Sequence, residues 1–520
     1  LHGVTGSGKT ELYLRAAAHA LRHGRQVLVL VPEIALATQM VERIGARFPG
    51  RVVVLHSGQA EARRSAAWWR LRDGEALVAV GARSAVFAAY PRLGLVIVDE
   101  AHEPAFKHDH TPRYHAVDVA IRLARGAAAP CVLGSATPTL EQLVAAQRGV
   151  YRLLALPERI VAAQRAGLPA TGRAPAPRIS LVDMREELHG GNRTMLSATL
   201  RRAIHDTLAD GAQALLYLNR RGQGSALVCR DCGHAPQCPR CRLALVAHQA
   251  PGGPGWLRCH SCGRRESMPL LCPACLSDRI RPFGAGTQRL VDVIGEAFPT
   301  ARIVRWDSDS AGSAAAHQRT LTQIRRGDAD VIVGTQMIAK GLDLPAVALV
   351  GIVAAEYGLY LPDFRAAERT FQLLTQVAGR AGRRGQAAHI VIQSYVPDHR
   401  VIRAVVAQDA AGFIEEELAF RRMVGYPPYA RLVRFVIQDH SAERVRHAAE
   451  ALVAQLAALA PRTLAPGWGL IGPAPVCFAA PHRRHRWHVL LRSADPEPLL
   501  RQLELPPGWA CDIDPVDVLS

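Results

Sequence analysis

Over residues 1 to about 155, the short apolar runs QVLVLV, ALVAVG, LGLVIVDE and PCVLGS alternate with stretches such as EIALATQMVERIGARF, whose apolar positions recur at the helical period. That rhythm predicts βαβ units and a parallel sheet. The segment GLPATGRAPAPR interrupts it and reads as a linker or extended crossing, because Pro and Gly end elements rather than continue them. A second α/β run opens with LSATLRRAIHDTL, where Ser197 is placed to cap a helix, and resumes after an interruption with ARIVRW, DADVIVG and VALVGIV. Beyond about residue 400, helical and strand patterns mix without a catalytic signature. The pattern thus predicts an α/β chain with a first lobe over 1–157, a crossing over 158–195 and a second lobe over 196–225 and 281–397. An insertion fills 226–280 and an α+β C-terminal domain 398–520. No apolar run reaches membrane-spanning length; LPAVALVGIVAA is interrupted by Pro345 and Gly351.

The chemistry begins at once. GVTGSGKT fits G-x-x-x-x-G-K-[ST], a loop whose backbone N–H groups surround nucleotide phosphates. Gly3, Val4, Thr5, Gly6, Ser7 and Gly8 would form the cradle, Lys9 would reach the phosphates and Thr10 would hold Mg²⁺. The loop alone leaves kinases, transporters and other NTPases open. After the apolar run LGLVIV come Asp99 and Glu100, which place one acid to hold Mg²⁺ and a neighbour to orient and deprotonate the attacking water. GSATPT ends another strand. QVAGRAGRRG, opening at Gln376, puts Arg380 and Arg383 in a glycine-rich turn of the second lobe, from which arginines reach a γ-phosphate across a cleft.

Charge adds a partner. With 63 Lys+Arg against 45 Asp+Glu the formal net charge is +18, which points to a polyanion and salt-sensitive binding. Only three of the basic residues are lysines, Lys9, Lys107 and Lys340. Where arginine fills nearly every generic basic position, a retained lysine marks a site that needs a compact point charge.

Eight of the 11 cysteines fall in four C-x₂-C knuckles within the insertion. Such spacing is that of tetrahedral zinc, whereas disulfides suit an oxidising compartment. Seventeen residues separate Cys241 from Cys259, so Cys238, Cys241, Cys259 and Cys262 are expected to share one ion, and Cys229, Cys232, Cys272 and Cys275 the other.

Taken together, GVTGSGKT, VPEIALATQ, GARSAVF, DEAH, GSATP, GTQMIAKGLD and QVAGRAGR resemble, in order, the motifs of a superfamily-2 helicase. The resemblance implies two recA-like lobes with ATP in the cleft and nucleic acid across the top. It implies that Gln376 joins Arg380 and Arg383 in motif VI, that Asp343 faces the nucleotide, and that Arg83, Thr335 and Lys340 lie near the strand track or cleft. The eight-cysteine insertion after LNRRGQG, with KHDHTPRYHAVDVA, PDFRAAERTFQLLTQVAGRAGR and MVGYPPYARL, is similar to one family: the bacterial replication-restart helicases of the primosomal protein N' type. Glu356 stands where that family usually has Asp, and Gln223 where an aromatic is usual. The resemblance implies an ATP-dependent 3'-to-5' DNA helicase that uses ATP, Mg²⁺ and two Zn²⁺ and remodels forked and single-stranded DNA. Its implied partners are primosome components, the replicative helicase loader and single-strand-binding protein, in a cytoplasmic, nucleoid-associated setting without a membrane. It further implies an N-terminal DNA-binding region and a first motor strand before Leu1. Two alternatives stay open: another superfamily-2 translocase, for fork reversal or of the DEAH RNA-helicase type, and a zinc-stabilised nucleic-acid-binding module with an inactive motor.

Overall fold

The computed structural model describes residues 1–32, 34–161, 172–173, 177–218, 225–249, 255–282, 286–307, 314–335, 338, 344, 346–380, 389–477 and 484–519. In the first lobe five parallel strands lie in the order Val52–Leu55, Val78–Gly81, Gln26–Leu30, Leu93–Val98, Cys131–Leu133. The central strand is buried at every position, as a strand covered by helices on both faces must be. Its first residue, Gln26, is polar yet buried, because its amide donates to Leu71 O (2.7 Å), in the last turn of helix Glu61–Arg72, and to Ala76 O (3.3 Å), in the turn that follows it.

The second lobe repeats this plan. Six parallel strands run Arg178–Asp183, His389–Ser394, Val347–Ile352, Gln213–Tyr217, Val331–Gly334, Ile303–Trp306. Gln213 opens its central strand and donates to Ile324 O (2.9 Å) and Ala329 O (2.8 Å), the same device in the same place. Two recA-like sheets are therefore present, related in layout although no residue period relates them. Ser197 caps helix Ala198–Ala209 by accepting from Leu200 N.

Two boundaries differ from the sequence pattern. Arg178–Asp183, expected within the 158–195 crossing, pairs along its full length with His389–Ser394 as the edge of the second sheet, where Ile179 and Leu181 pack on one core of the lobe and Val182 on the other. Helices Arg400–Ala407 and Ala410–Val424, expected in the C-terminal domain, belong with the second lobe: Val401, Ile402, Val405 and Phe413 share one buried cluster with Ile390 and Ile392. The C-terminal domain proper is the antiparallel sheet Gly469–Pro475, His485–Ser493, Arg431–Asp439, Ala510–Ile513, covered by helix Ala442–Thr463.

The insertion is a five-stranded sheet, Ser225–Cys229, Val246–Gln249, Gly255–Arg258, Arg265–Ser267 and Ile280–Pro282, around the cysteines. The phosphate loop is entered from His2–Gly3, which pairs with Ala155–Leu156 on one side and bridges Ser135 on the other. No described helix is long and apolar enough to cross a membrane.

Candidate nucleotide cleft and metal centres

Gly6 and Gly8 carry φ of +83° and +84°, a left-handed geometry that turns the chain tightly into helix Lys9–Arg22. Gly8 caps that helix without a side-chain bond, so the helix begins with backbone N–H groups facing the loop, an arrangement that attracts anions. Lys9 Nζ crosses the loop and donates to Gly3 O at 2.7 Å. A Cβ at Gly3 would sit 2.5 Å from Ser7 Oγ and 3.1 Å from Lys9 Cγ, so a side chain there would have to displace the loop's own side chains.

The strand Leu93–Val98 delivers Asp99, which accepts a bond from Tyr13 Oη (3.0 Å). Tyr13 is accommodated because residue 134 is glycine; a Cβ there would overlap its hydroxyl. Burial, and then the adjacent Glu100, push the Asp99 carboxyl up to about 7. Glu100 is held at φ +48°, and its Oε2 is buried without a hydrogen-bond partner among the described residues, as is Ser7 Oγ. Buried polar atoms without partners are costly unless something satisfies them. Two such oxygens and a crowded carboxylate beside an anion-seeking helix end suit a cation with a phosphate ester.

From Glu100 the site continues into the second lobe. The Gln376 amide donates to His102 Nε2 (2.5 Å) and to Thr137 Oγ1 (3.3 Å). With Nε2 accepting, His102 carries its proton on Nδ1 and donates it to Ser135 Oγ (2.8 Å), which also accepts from Thr137 N (3.0 Å). Gln372 donates to Thr137 O (3.1 Å), and Glu368 accepts from Leu140 N (2.9 Å). DEAH, GSAT and the helix Ala366–Ala378 thus form one buried hydrogen-bonded seam between the lobes. Arg380 is buried just beyond that helix, and a Cβ at Gly379 would come 2.9 Å from Thr5 Oγ1, which sets this turn against the phosphate loop.

Thr10 is the second residue of helix Lys9–Arg22, in its first turn beside the loop. Arg83 donates to Lys107 O (2.8 Å) and Ala105 O (3.3 Å), bracing the turn after DEAH. Thr335 follows strand Val331–Gly334, and its carbonyl accepts from Ile338 N (3.0 Å). Lys340, Asp343, Arg383 and Gln223 lie outside the described residues. Tyr13, His102, Ser135, Thr137, Gln372 and Glu368 were not among the expected site residues. His102, Ser135 and Thr137 stood inside the motifs already marked, so their position was visible, but their partners were not.

The eight thiols fall into the groups Cys229, Cys232, Cys272, Cys275 and Cys238, Cys241, Cys259, Cys262, each with its sulfurs within 4.8 Å of one another. These are the nested pairs. Sulfur separations of 3.6 Å for Cys229–Cys275 and Cys232–Cys272 and 3.7 Å for Cys238–Cys262 match the roughly 3.8 Å edge of a tetrahedron with about 2.3 Å Zn–S bonds. All four knuckles share one fold. The N–H four residues after the first cysteine returns to that cysteine's carbonyl in each, at 2.8 to 2.9 Å, from Gly233, Arg242, Gly263 and Leu276. All four residues have positive φ, although two of them are not glycine. A knuckle that enforces this turn on Arg242 and Leu276 points its amides and sulfurs inward. Both clusters fit zinc.

The two differ in surroundings. The Cys238 group is packed on the C-terminal sheet, where His260 shares a hydrogen bond with Pro475 O (3.0 Å) and its own carbonyl accepts from His488 Nε2 (2.8 Å). The Cys229 group ends in an exposed Cys275, beside Leu270 and Leu276 at 88% and 74% exposure.

Residues 1–145 match the DEAD/DEAH box helicase family, 297–385 the helicase conserved C-terminal domain, and 422–516 the primosomal protein N C-terminal domain. The chain is 43% identical over 492 residues to "Replication restart protein PriA" of Bacillus subtilis (strain 168), covering 95% of this chain and 59% of that protein. Against the protein of the same name from Synechocystis sp. it is 40% identical over 531 residues, covering 100% of this chain and 62% of that one. Against that of Treponema pallidum it is 40% identical over 528 residues, covering 100% and 77%. The chain therefore spans about three fifths of the length of the first two. With the two recA-like sheets, the inter-lobe seam and the paired four-thiol clusters in place, these similarities establish that the chain belongs to the replication restart protein PriA family.

Proposed function

We propose that this chain is the motor of an ATP-dependent 3'-to-5' DNA helicase that remodels stalled forks and starts primosome assembly. The seam from the DEAH turn that bears Glu100, through His102 and Gln376 to the second lobe, carries the reading. It makes the acid beside the phosphate loop sensitive to the spacing of the lobes, which is what a translocating ATPase requires.

In this reading Gly3, Val4, Thr5, Gly6, Ser7 and Gly8 cradle the phosphates and Lys9 leaves its carbonyl contact to pair with them. Thr10 and Asp99 would hold Mg²⁺, which when bound supplies positive charge to the phosphates and keeps Asp99 ionised despite its burial. Glu100 orients water and takes its proton. Arg380 and Arg383 stabilise charge on the γ-phosphate, with Gln376 fixing their helix against DEAH and Asp343 bordering the nucleotide. Arg83, Thr335 and Lys340 contact the DNA backbone. The thiolates hold two Zn²⁺, the Cys238 group stapling the insertion to the C-terminal domain and the Cys229 group facing partners. The partners are forked and single-stranded DNA, primosome components, the helicase loader and single-strand-binding protein, at the nucleoid. Family resemblance supports polarity and partners; geometry supports the ATPase.

Polarity is tested with paired partial duplexes bearing only a 3' or only a 5' single-stranded arm. Strand separation is expected when the translocating strand is entered in the 3'-to-5' sense; equal or opposite preference would remove the polarity assignment.

A further inference from the structure

Of the three lysines, Lys9 and Lys340 fall within motor motifs and Lys107 does not. Its side chain is only 6% exposed, and its ammonium is enclosed by the last strand of the C-terminal domain. Nζ pairs with Asp512 Oδ1 (2.7 Å) and donates to Ile513 O (2.8 Å), with Asp514 O at 3.5 Å. Two carbonyl acceptors and a carboxylate at ion-pair distance, all converging on one nitrogen, suit a compact ammonium. A planar guanidinium spreads its donors and would not enter, which accounts for a lysine in a chain that otherwise uses arginine.

Lys107 is joined rigidly to the DEAH box. Glu103 N donates to Glu100 O (2.9 Å), Lys107 N donates to Pro104 O (3.0 Å), and between them Phe106 is fully buried in the first lobe's core. The peptide of Lys107 also receives Arg83. Beyond its pairing with Lys107, the terminal segment continues to the second lobe, where Val516 O accepts from Arg369, itself paired with Asp363 at 3.0 Å. Arg369 sits on helix Ala366–Ala378, which carries Gln372 and Gln376 of the inter-lobe seam. Residues 512–516 therefore touch both lobes, each time next to an element of the nucleotide cleft, and Asp514 N anchors them to their own sheet through Leu432 O (2.8 Å).

We propose that Lys107 is a positioning residue through which the C-terminal domain ties the two lobes together, so that the response of ATP turnover to single-stranded DNA depends on residues 512–516. The proposal rests on the motor reading above. A plain stabilising ion pair would tolerate Lys107→Arg and would leave turnover per folded molecule unchanged; a tie would do neither.

The test measures steady-state ATP turnover against oligothymidylate concentration for the full chain, Lys107→Met, Lys107→Arg, Asp512→Asn and the Lys107→Met/Asp512→Asn pair. Lys107→Met should lower kcat at saturating DNA about fivefold or more, Lys107→Arg should not restore it, and the KM for ATP should stay within about twofold, effects in the range of coupled neighbours. The double variant should be no slower than Lys107→Met alone. Should Lys107→Met fail to fold, Asp512→Asn, which keeps the side chain's shape, carries the same expectation. DNA-saturated turnover within twofold of wild type in both Lys107 variants, or losses that add in the double variant, would overturn the tie. Absence of DNA stimulation in the unmodified chain would instead sink the motor reading, and hydrogen exchange then judges the tie separately. Lys107→Met should speed exchange at 104–108 and at 366–376 together, whereas a rise confined to 510–516 would overturn it.

Discussion

The nucleotide cleft gathers its groups from residues 3 to 380 on two separately folded sheets, whereas the two thiolate clusters gather theirs from residues 229 to 275 on one small module. The sheets around the cleft have large apolar cores of their own, so a cleft side chain can be exchanged with the fold intact. The module's core is ten buried residues, five of them cysteines of the clusters themselves. There the chemistry is the fold. One region should lose function without structure when altered, and the other structure before function.

Metal removal presses hardest on this contrast. Structural zinc contributes about 10 to 16 kcal/mol of apparent binding free energy, so extraction of both ions should unfold residues 226–280 while the lobes still melt cooperatively. Hydrogen exchange resolved by segment would show it, and an unchanged module after complete extraction would erase the distinction. Next in size, Glu100→Gln should slow ATP hydrolysis by about 10² to 10⁴-fold with nucleotide affinity kept, as expected on loss of a general base. Lys9→Arg is expected to abolish turnover too, since the loop is too narrow for a guanidinium. Equal ATP turnover in Lys9→Arg and wild type would show the loop to be wider than its glycines imply.

A finer comparison lies within the module. Cys238→Ser and Cys229→Ser should each reduce measured zinc from two to one per chain, but only the first should also loosen 473–476 and 488, because His260 links that cluster to the C-terminal sheet. Metal analysis with segment-resolved exchange distinguishes them; identical exchange patterns would mean that the docking through His260 carries no stability. The smallest effect belongs to His488→Phe, which leaves the His260 carbonyl without its donor at a cost of about 1 to 3 kcal/mol, readable as a lowered Tm with both zinc ions retained.

The same contrast explains what the sequence disclosed. The nested grouping of the eight thiols was legible because ligand spacing is a local property, and the 17 residues between Cys241 and Cys259 fall in the range usual for two knuckles that share an ion. DEAH and the phosphate loop were legible because each is a short motif at a strand end. The seam was not, since Gln376 and His102 stand 274 positions apart and only tertiary packing brings them together. Residues 178–183 looked like part of a crossing because Pro and Ala dominate the stretch before them, and an edge strand has few apolar residues by which to announce itself. Helices Arg400–Ala407 and Ala410–Val424 follow the last strand of the second lobe without any change in composition, so their allegiance was decided by packing. Lys107 is the intermediate case: the scarcity of lysine marked it, but its acceptors lie more than 400 residues away.

The central claim is that the seam and the phosphate loop make one ATP-hydrolysing motor that responds to DNA. The direct measurement is ATP hydrolysis by the 520-residue chain with and without oligothymidylate, set beside Glu100→Gln. Stimulation by DNA in the unmodified chain, absent in Glu100→Gln although nucleotide still binds, is the predicted result. Hydrolysis that ignores DNA, or that survives in Glu100→Gln, would contradict it.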